Sequence, residues 1–299
     1  MNKREEKKSK NLYHQGCAEV EMRNYAEAIR LFHEAAHFGS VHAMLKLGTL
    51  YYFGIGIVPN TEKAIHWLRL AAEKGSLSAT LNLANVYYEM NGGKETDKKA
   101  WMYYEEASIY DEKHMFYMGR MYFDGRCQNK YASEAQRLFD GAAFFQSALI
   151  DGCALAALYL YKINMIKERI EIAAECYAQG ESLLETPQDF NNWACMLCEW
   201  GEYEKALPYI EKSLSMMEQD NERPAYYDTY AECLYGLGRK DEAQLMFGKC
   251  LETYRQRDER RGIQETWEKM KQLFGDSISF RVSVPEMERR IAYALTKES

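Results

Sequence analysis

The sequence is poor in proline, with 5 in 299 residues, and it lacks an apolar run long enough to cross a membrane. Few prolines leave long stretches free to take helical backbone angles, and the Ala, Leu, Glu, Lys and Tyr that fill them favour helix over sheet. The most apolar stretch, residues 140–161, is interrupted by Gln146, Asp151 and two glycines, whereas a span needs about 20 unbroken apolar residues. It reads as buried helix. An excess of basic charge is missing too, since 38 Lys and Arg stand against 45 Asp and Glu for a formal charge of -7. That balance opposes a nonspecific hold on phosphate backbones or anionic lipid, so neither nucleic acid nor membrane is expected as a partner. No apolar stretch follows the charged residues 1–11, so no secretory signal is read and a cytoplasmic location is expected.

Catalytic signatures are also missing. There is no nucleophile elbow, P-loop, H-E-x-x-H or kinase motif, and the carboxylates are spread along helix surfaces without an acid/base pair. His33 and His37 have the i,i+4 spacing that can grip zinc, but no flanking ligand motif accompanies them. Cys195 and Cys198 form a C-x2-C without a second ligand pair, inside a stretch that reads as helix. The eight cysteines follow no fixed repeat, as small core hydrophobes of a reducing compartment would. The expectation is therefore no catalytic residue, no cofactor and no metal.

What the sequence does have is a period. Ala28, Ala64, Ala100 and Ala135 are separated by 36, 36 and 35 residues. Large residues Phe32, Trp67, Tyr103 and Leu138 follow by three or four positions, and Ala35, Ala71, Ala107 and Ala142 by seven. Upstream, Gly48, Ala84 and Gly119 recur in the same register, each trailed three residues later by Tyr51, Tyr87 or Tyr122. Within a unit, apolar residues at i, i+3, i+4 and i+7 mark two helices, as in HAMLKLGTLYYF and EKAIHWLRLAAEKG. The small residues let the two helices approach, and the large residue fills the gap to the next pair. One pair cannot bury its apolar face alone, so pairs must stack. FGIGIVPNTEKA then joins two helices, with Gly54 and Gly56 supplying unusual backbone angles, Thr61 as N-cap, Gly75 as the left-handed stop and Lys74 in the last turn.

The segments AMLKLGTLYYFGIGIVPNTEKAIHWLRLAAEKGSLSA and HMFYMGRMYFDGRCQNKYASEAQRLFDGAA resemble Sel1-like repeats, read roughly as A-x3-L-G-x2-Y-x2-G-x-G followed by K-A-x2-W-x3-A-A-x2-G. The second lacks the later glycine and the Trp, and the unit between them has Asn91-Gly92-Gly93 in place of G-x-G. NNWACMLCEWGEYEKALPYIEKSL and DTYAECLYGLGRKDEAQLMFGKCL resemble tetratricopeptide repeats, with Gly201 and Gly238 at the turns and Ala206 and Ala243 37 residues apart. Residues 16–36 fit the shorter form as well. The resemblance implies an all-α, right-handed α-solenoid of stacked antiparallel helix pairs. Its expected organisation is a charged tail over 1–11, a tetratricopeptide-like unit and Sel1-like repeats over 12–146, and a degenerate helix pair over 147–187. Tetratricopeptide repeats over 188–255 and a capping region over 256–299 complete it. In the last region Ile263, Trp267, Met270 and Phe274 form one helix face, residues 278–284 alternate like a strand, and Ser283 with Glu286 is placed for a capping box.

For function the resemblance implies a non-enzymatic scaffold that binds a protein or peptide in a concave groove. Carrying over the inward positions of the first helices gives Thr49, Tyr52 and Phe53; Asn85, Tyr88 and Glu89; Arg120, Phe123 and Asp124; then Cys195, Glu199, Glu232 and Tyr235. Tyr52, Tyr88 and Phe123 would form an aromatic row with polar neighbours, the composition of a recognition hot spot; the alternative is that these rings pack between units. The Lys/Asn constellation by which some tetratricopeptide domains clamp a C-terminal carboxylate is not matched. Two other readings are an enzyme or small-molecule sensor with a pocket inside the superhelix, and a bacterial protein exported to act on a host.

Overall fold

The structure, a computed structural model, describes residues 3–127, 133–217 and 223–275. Among these residues it is all-α: fifteen α-helices, one 3-10 turn and a single isolated bridge in place of a sheet. Consecutive helices pack as antiparallel pairs, and the chain divides into two compact units. One unit is drawn from both ends of the chain, residues 1–76 and 197–299; the other is residues 77–196. The consecutive domains read from the sequence contain no hint of that division.

In the first unit, α1 (Lys3–Glu21) pairs with α2 (Tyr25–His37), and α3 (Val41–Phe53) with α4 (Thr61–Ala72). The charged stretch expected as a tail is therefore helical from Lys3 onward, with Ser9 buried and its hydroxyl donating to Ala35 O. α3 and α4 approach closely at Gly48, where a Cβ would sit 2.6 Å from Leu68 Cγ. α3 stops at Gly54, whose φ of 65° is left-handed, and the loop reaches α4 through Gly56 at φ 66°. Asn60, not Thr61, caps α4: its side chain accepts from the Lys63 N–H at 2.8 Å, and Thr61 is the first helical residue. The cation of the last turn is Arg69, because α4 ends at Ala72 before Lys74 is reached. From the other end of the chain come α12 (Tyr203–Ser215), α13 (Pro224–Gly236), α14 (Lys240–Gln256) and α15 (Arg260–Phe274). α13 to α15 close around Leu234, Phe247, Ile263, Trp267, Met270 and Phe274.

The second unit holds α5 (Leu77–Met90), α6 (Lys94–Ser108), α7 (Met115–Phe123), α8 (Glu134–Ile150), α9 (Ala154–Ile166) and α10 (Ile170–Glu181). The 3-10 turn, Glu112–His114, precedes α7, and α11 (Pro187–Glu199) runs across the boundary between the units. The stretch 140–161 is two helices, not one: α8 ends at Ile150, and Gly152 turns the chain at φ 86° into α9.

The alanine register holds in three repeats, with Ala28, Ala64, Ala100, Ala35, Ala71 and Ala107 fully buried, but not in the fourth, where Ala135 is exposed and Ala142 half-buried. The large residue that fills the space beyond them differs from the sequence expectation in two repeats. Leu68 and Tyr104, four residues after the alanine as Phe32 is, are buried. Trp67 and Tyr103, one residue earlier, turn aside against His33 and Tyr87, at 5.1 and 5.9 Å between ring centroids. The strand-like segment and the closing helix expected beyond residue 275 lie outside the described residues.

Candidate interaction surface

Three side chains of α3 were expected on the binding face. Thr49 is half-buried and turns its hydroxyl back to Leu45 O at 3.0 Å, as β-hydroxyl side chains inside helices do. Tyr52 is buried, and Phe53 meets it edge to face at 5.1 Å while remaining 42% exposed. What covers Tyr52 comes from 209 residues further along the chain, in the same unit. The Arg261 guanidinium lies 3.9 Å from the Tyr52 ring centroid, and its Nη2 donates to Thr61 Oγ1 at 3.1 Å. The turn ahead of it docks main chain to main chain. The Gly56 N–H donates to Asp258 O at 3.2 Å and the Arg260 N–H to Gly54 O at 3.4 Å, which makes Ile55 and Glu259 an antiparallel bridge. Tyr25 adds a hydroxyl bond to Arg257 O at 3.0 Å. Gly56 admits Tyr25 this closely only because it has no side chain: a Cβ would sit 2.1 Å from that of Tyr25.

Further along the same unit, Glu199 is exposed and Glu232 faces Lys269. Lys269 Nζ bridges Asp228 at 2.6 Å and Glu232 at 2.7 Å, so α13 and α15 share one ammonium group. Burial pulls its pKa down, but the two carboxylates overcome that and hold it above the ordinary lysine value. Tyr235 donates its hydroxyl to Leu273 O at 2.8 Å and packs edge-on against Phe274 at 5.0 Å.

In the second unit, Tyr88, Arg120 and Asp124, three of the positions read as lining a binding face, form a closed network with one another. The Tyr88 hydroxyl donates to the Asp124 carboxylate, and Arg120 lies 4.9 Å from its ring centroid. Arg126 takes a nearer position at 3.9 Å, donates to Tyr88 O at 2.7 Å and holds Asp97 through Nε at 2.9 Å. Burial first, then the neighbouring carboxylate, pushes the Tyr88 hydroxyl up to about 12. Asn85 accepts from Tyr104 OH at 2.7 Å, and Phe123 stands edge-on to Tyr159 at 5.0 Å. Glu89 is exposed, Asp124 is held by Tyr88 and Arg120 with 30% of its side chain exposed, and Cys195 is half-buried. Phe53 and Glu89, 36 residues apart, are thus exposed in the same register of their repeats.

The sequence reading passed over Arg126, Asp97, Asp228, Arg261 and Lys269. For Lys269 a signal existed, because Cys195, Glu232 and Lys269 are spaced by 37 residues, the same interval as Ala206 and Ala243. His33 is engaged by Tyr51, 3.1 Å from its hydroxyl, as well as by Trp67. Among the described residues no group of three or more His, Cys, Asp or Glu could hold a metal ion, and no helix is long and apolar enough to cross a membrane. The cysteines are thiols rather than halves of disulfides, with Cys198, Cys233 and Cys250 buried.

The profile of the Sel1 repeat family matches residues 20–37, 41–76, 77–108 and 115–140. No curated protein matches the sequence. Among solved structures, a Sel1 repeat protein from Oxalobacter formigenes is 18% identical over 81% of this chain and 99% of its own, with a TM-score of 0.48. Yeast Tom70 is 15% identical over 90% of this chain and 59% of its own, with a TM-score of 0.48. A tetratricopeptide repeat protein from Parabacteroides merdae is 12% identical over 97% of this chain and 100% of its own, with a TM-score of 0.47.

Proposed function

We propose that this Sel1 repeat protein is a non-enzymatic interaction scaffold that takes a protein or peptide on the inward ends of its first helices. Repeats of this kind generally serve protein-protein interaction. One observation carries the reading. Phe53 in the first unit and Glu89 in the second each stand exposed at the same position of their repeats, while the Tyr52 and Tyr88 rings beside them are held by Arg261 and Arg126. Within each unit an exposed side chain beside fixed rings suits recognition, because stacking and specificity are carried by different residues. A reducing compartment such as the cytoplasm suits eight thiols.

The test is affinity capture from native lysate with the wild type and with a Phe53→Ala/Glu89→Lys variant whose circular dichroism is unchanged. A partner held by the wild type and lost by the variant supports the reading. A partner held equally by both moves the interface to another face, and an absence of any partner from repeated captures overturns the scaffold role.

A further inference from the structure

Burial does not treat the thiols of this chain alike. Cys233 in α13 and Cys250 in α14 are both fully buried. Cys250 lies 3.6 Å from the Thr266 hydroxyl, and burial pushes its thiol well above the ordinary cysteine value. Cys233 meets a second thiol instead. The Cys198 S–H, in the last turn of α11, donates to the Cys233 sulfur, and Cys233 in turn donates to Tyr203 O at 3.3 Å, at the start of α12. Gly236, one turn further along α13, keeps this contact close: a Cβ there would sit 2.4 Å from the Tyr203 ring. The bond from Cys198 favours the Cys233 thiolate more than burial opposes it, so this thiol is held below the ordinary cysteine value. Both cysteines belong to the first unit, and they are 35 residues apart in sequence.

Two thiols in contact, one of them biased towards thiolate, are an arrangement that closes to a disulfide, and a disulfide in a reducing compartment is usually transient and redox-sensing. We infer that Cys198 and Cys233 are a reversible disulfide-forming pair, closed by hydrogen peroxide and reopened by a dithiol, that ties the end of α11 to α13. Cys198 is 5% exposed and Cys233 not at all, so the oxidant has to be small, which selects a peroxide over a glutathione-sized disulfide. The Cys233 thiolate attacks one peroxide oxygen. An S–O bond forms, the O–O bond breaks, and the hydroxide that leaves takes up the proton Cys233 has lost, as water. The Cys198 sulfur then attacks the Cys233 sulfur of the sulfenic acid. The S–S bond forms, the S–O bond breaks, and the departing hydroxide takes the Cys198 proton as a second water. Together the two thiols lose two electrons and the peroxide gains them. Because the sulfurs already touch, the bond closes with both helices in place.

The experiment uses the full chain, reduced, freed of reductant and treated with hydrogen peroxide. Thiols left free are alkylated in denaturant, and mass spectrometry of the digest reads each cysteine and any linked pair. The expected result is a link between Cys198 and Cys233, formed at least about tenfold faster than any oxidation of the equally buried Cys250 and released by dithiothreitol. The oxidised wild type should also melt at a higher temperature than the reduced protein, because the link restricts the unfolded chain. Cys198→Ser should remove the link and the melting difference, and leave a Cys233 sulfenic acid that dimedone captures. If Cys198→Ser does not fold, Cys233→Ser decides the matter by the same loss of link and melting difference. A link from either cysteine to another one such as Cys195 overturns the inference. So does oxidation of the pair no faster than that of Cys250, or a pair that remains alkylatable after peroxide has oxidised the half-buried cysteines.

Discussion

Lys269 holds its ammonium group against Asp228 and Glu232 with 32% of its side chain exposed. Its folded pKa lies above the 10.5 of the unfolded chain, because the two carboxylates outweigh the burial that lowers it. The proton is thus bound more tightly in the folded state, so the stability it contributes is fully present below pH 10.5 and is lost as pH rises through the higher folded value. Lys269→Met keeps most of the stem and deletes the charge, leaving two carboxylates facing each other. A fully buried pair broken in this way loses 3–5 kcal/mol, and the partial exposure here brings the expected loss to about 2 kcal/mol. Urea midpoints should show that difference at pH 8 and a smaller one above pH 10.5, and a difference independent of pH would contradict the assignment. Arg126 offers a parallel case in the other unit. Only 17% of its side chain and 17% of Asp97's are exposed, so Arg126→Ala strands a shielded carboxylate and uncovers the Tyr88 ring, at an expected cost of about 2 kcal/mol. Arg126→Lys should recover only part of it, because an ammonium cannot stack and fork at once; thermal melts of both variants check this. Neither network was legible from composition. Arg126 and Asp97 lie 29 residues apart in a loop and a helix, off the register that organised the reading, and their pairing depends on how the helices are set.

At the scale of the element, the helix pair was the most legible feature, since the small residues that recur every 36 positions are demanded by backbone approach. Gly48 shows the demand directly. A Cβ there meets Leu68 Cγ at 2.6 Å, well inside ordinary contact. Overpacking of that kind destabilises by about 1–3 kcal/mol, against up to about 1 kcal/mol gained from the better helix propensity of alanine. Gly48→Ala is therefore expected to lose about 1 kcal/mol, with the loss relieved by a second change of Leu68→Val. Chemical denaturation of the two single variants and the double gives the coupling, and purely additive effects would show that the two helices do not compete for that space. The large residues were less legible than the small ones. Trp67 and Tyr103 look like the core plugs by size, but the buried positions are Leu68 and Tyr104, one residue on. A shift of one residue turns a side chain by about 100° around a helix, and two large residues in succession, Trp67-Leu68 and Tyr103-Tyr104, hide which of the two faces inward. Cap chemistry had the same ambiguity, since Asn60 and Thr61 are both good caps and only the backbone tells them apart.

The largest scale is where local pattern had least to say. Periodicity reports what each helix does with residues a few turns away, whereas the first unit joins residues 1–76 to residues 197–299, across a separation that no repeat encodes. A mixed charge run at 254–262 and a glycine loop at 54–56 each have a sufficient local explanation, a solvated helix end and a turn. Their main-chain pairing answers a different demand. The Gly54 carbonyl and Gly56 N–H lie outside the α3 ladder and take partners from the far end of the chain. This topology has a measurable consequence. A chain ending at Arg255 removes Ile263, Trp267, Met270 and Phe274 from the α13–α15 core and the partners of Gly54 and Gly56 together. Hydrogen exchange should then accelerate both in α13–α14 and in the 54–56 loop, two regions about 180 residues apart in sequence. Protection of α5 to α10 should persist, because that unit closes on buried residues of its own such as Leu83, Phe145 and Leu158. Loss confined to α13–α14 would mean that the ends of the chain do not form one cooperative body. Loss spread through α5–α10 would mean that the division into two units does not govern how the protein opens.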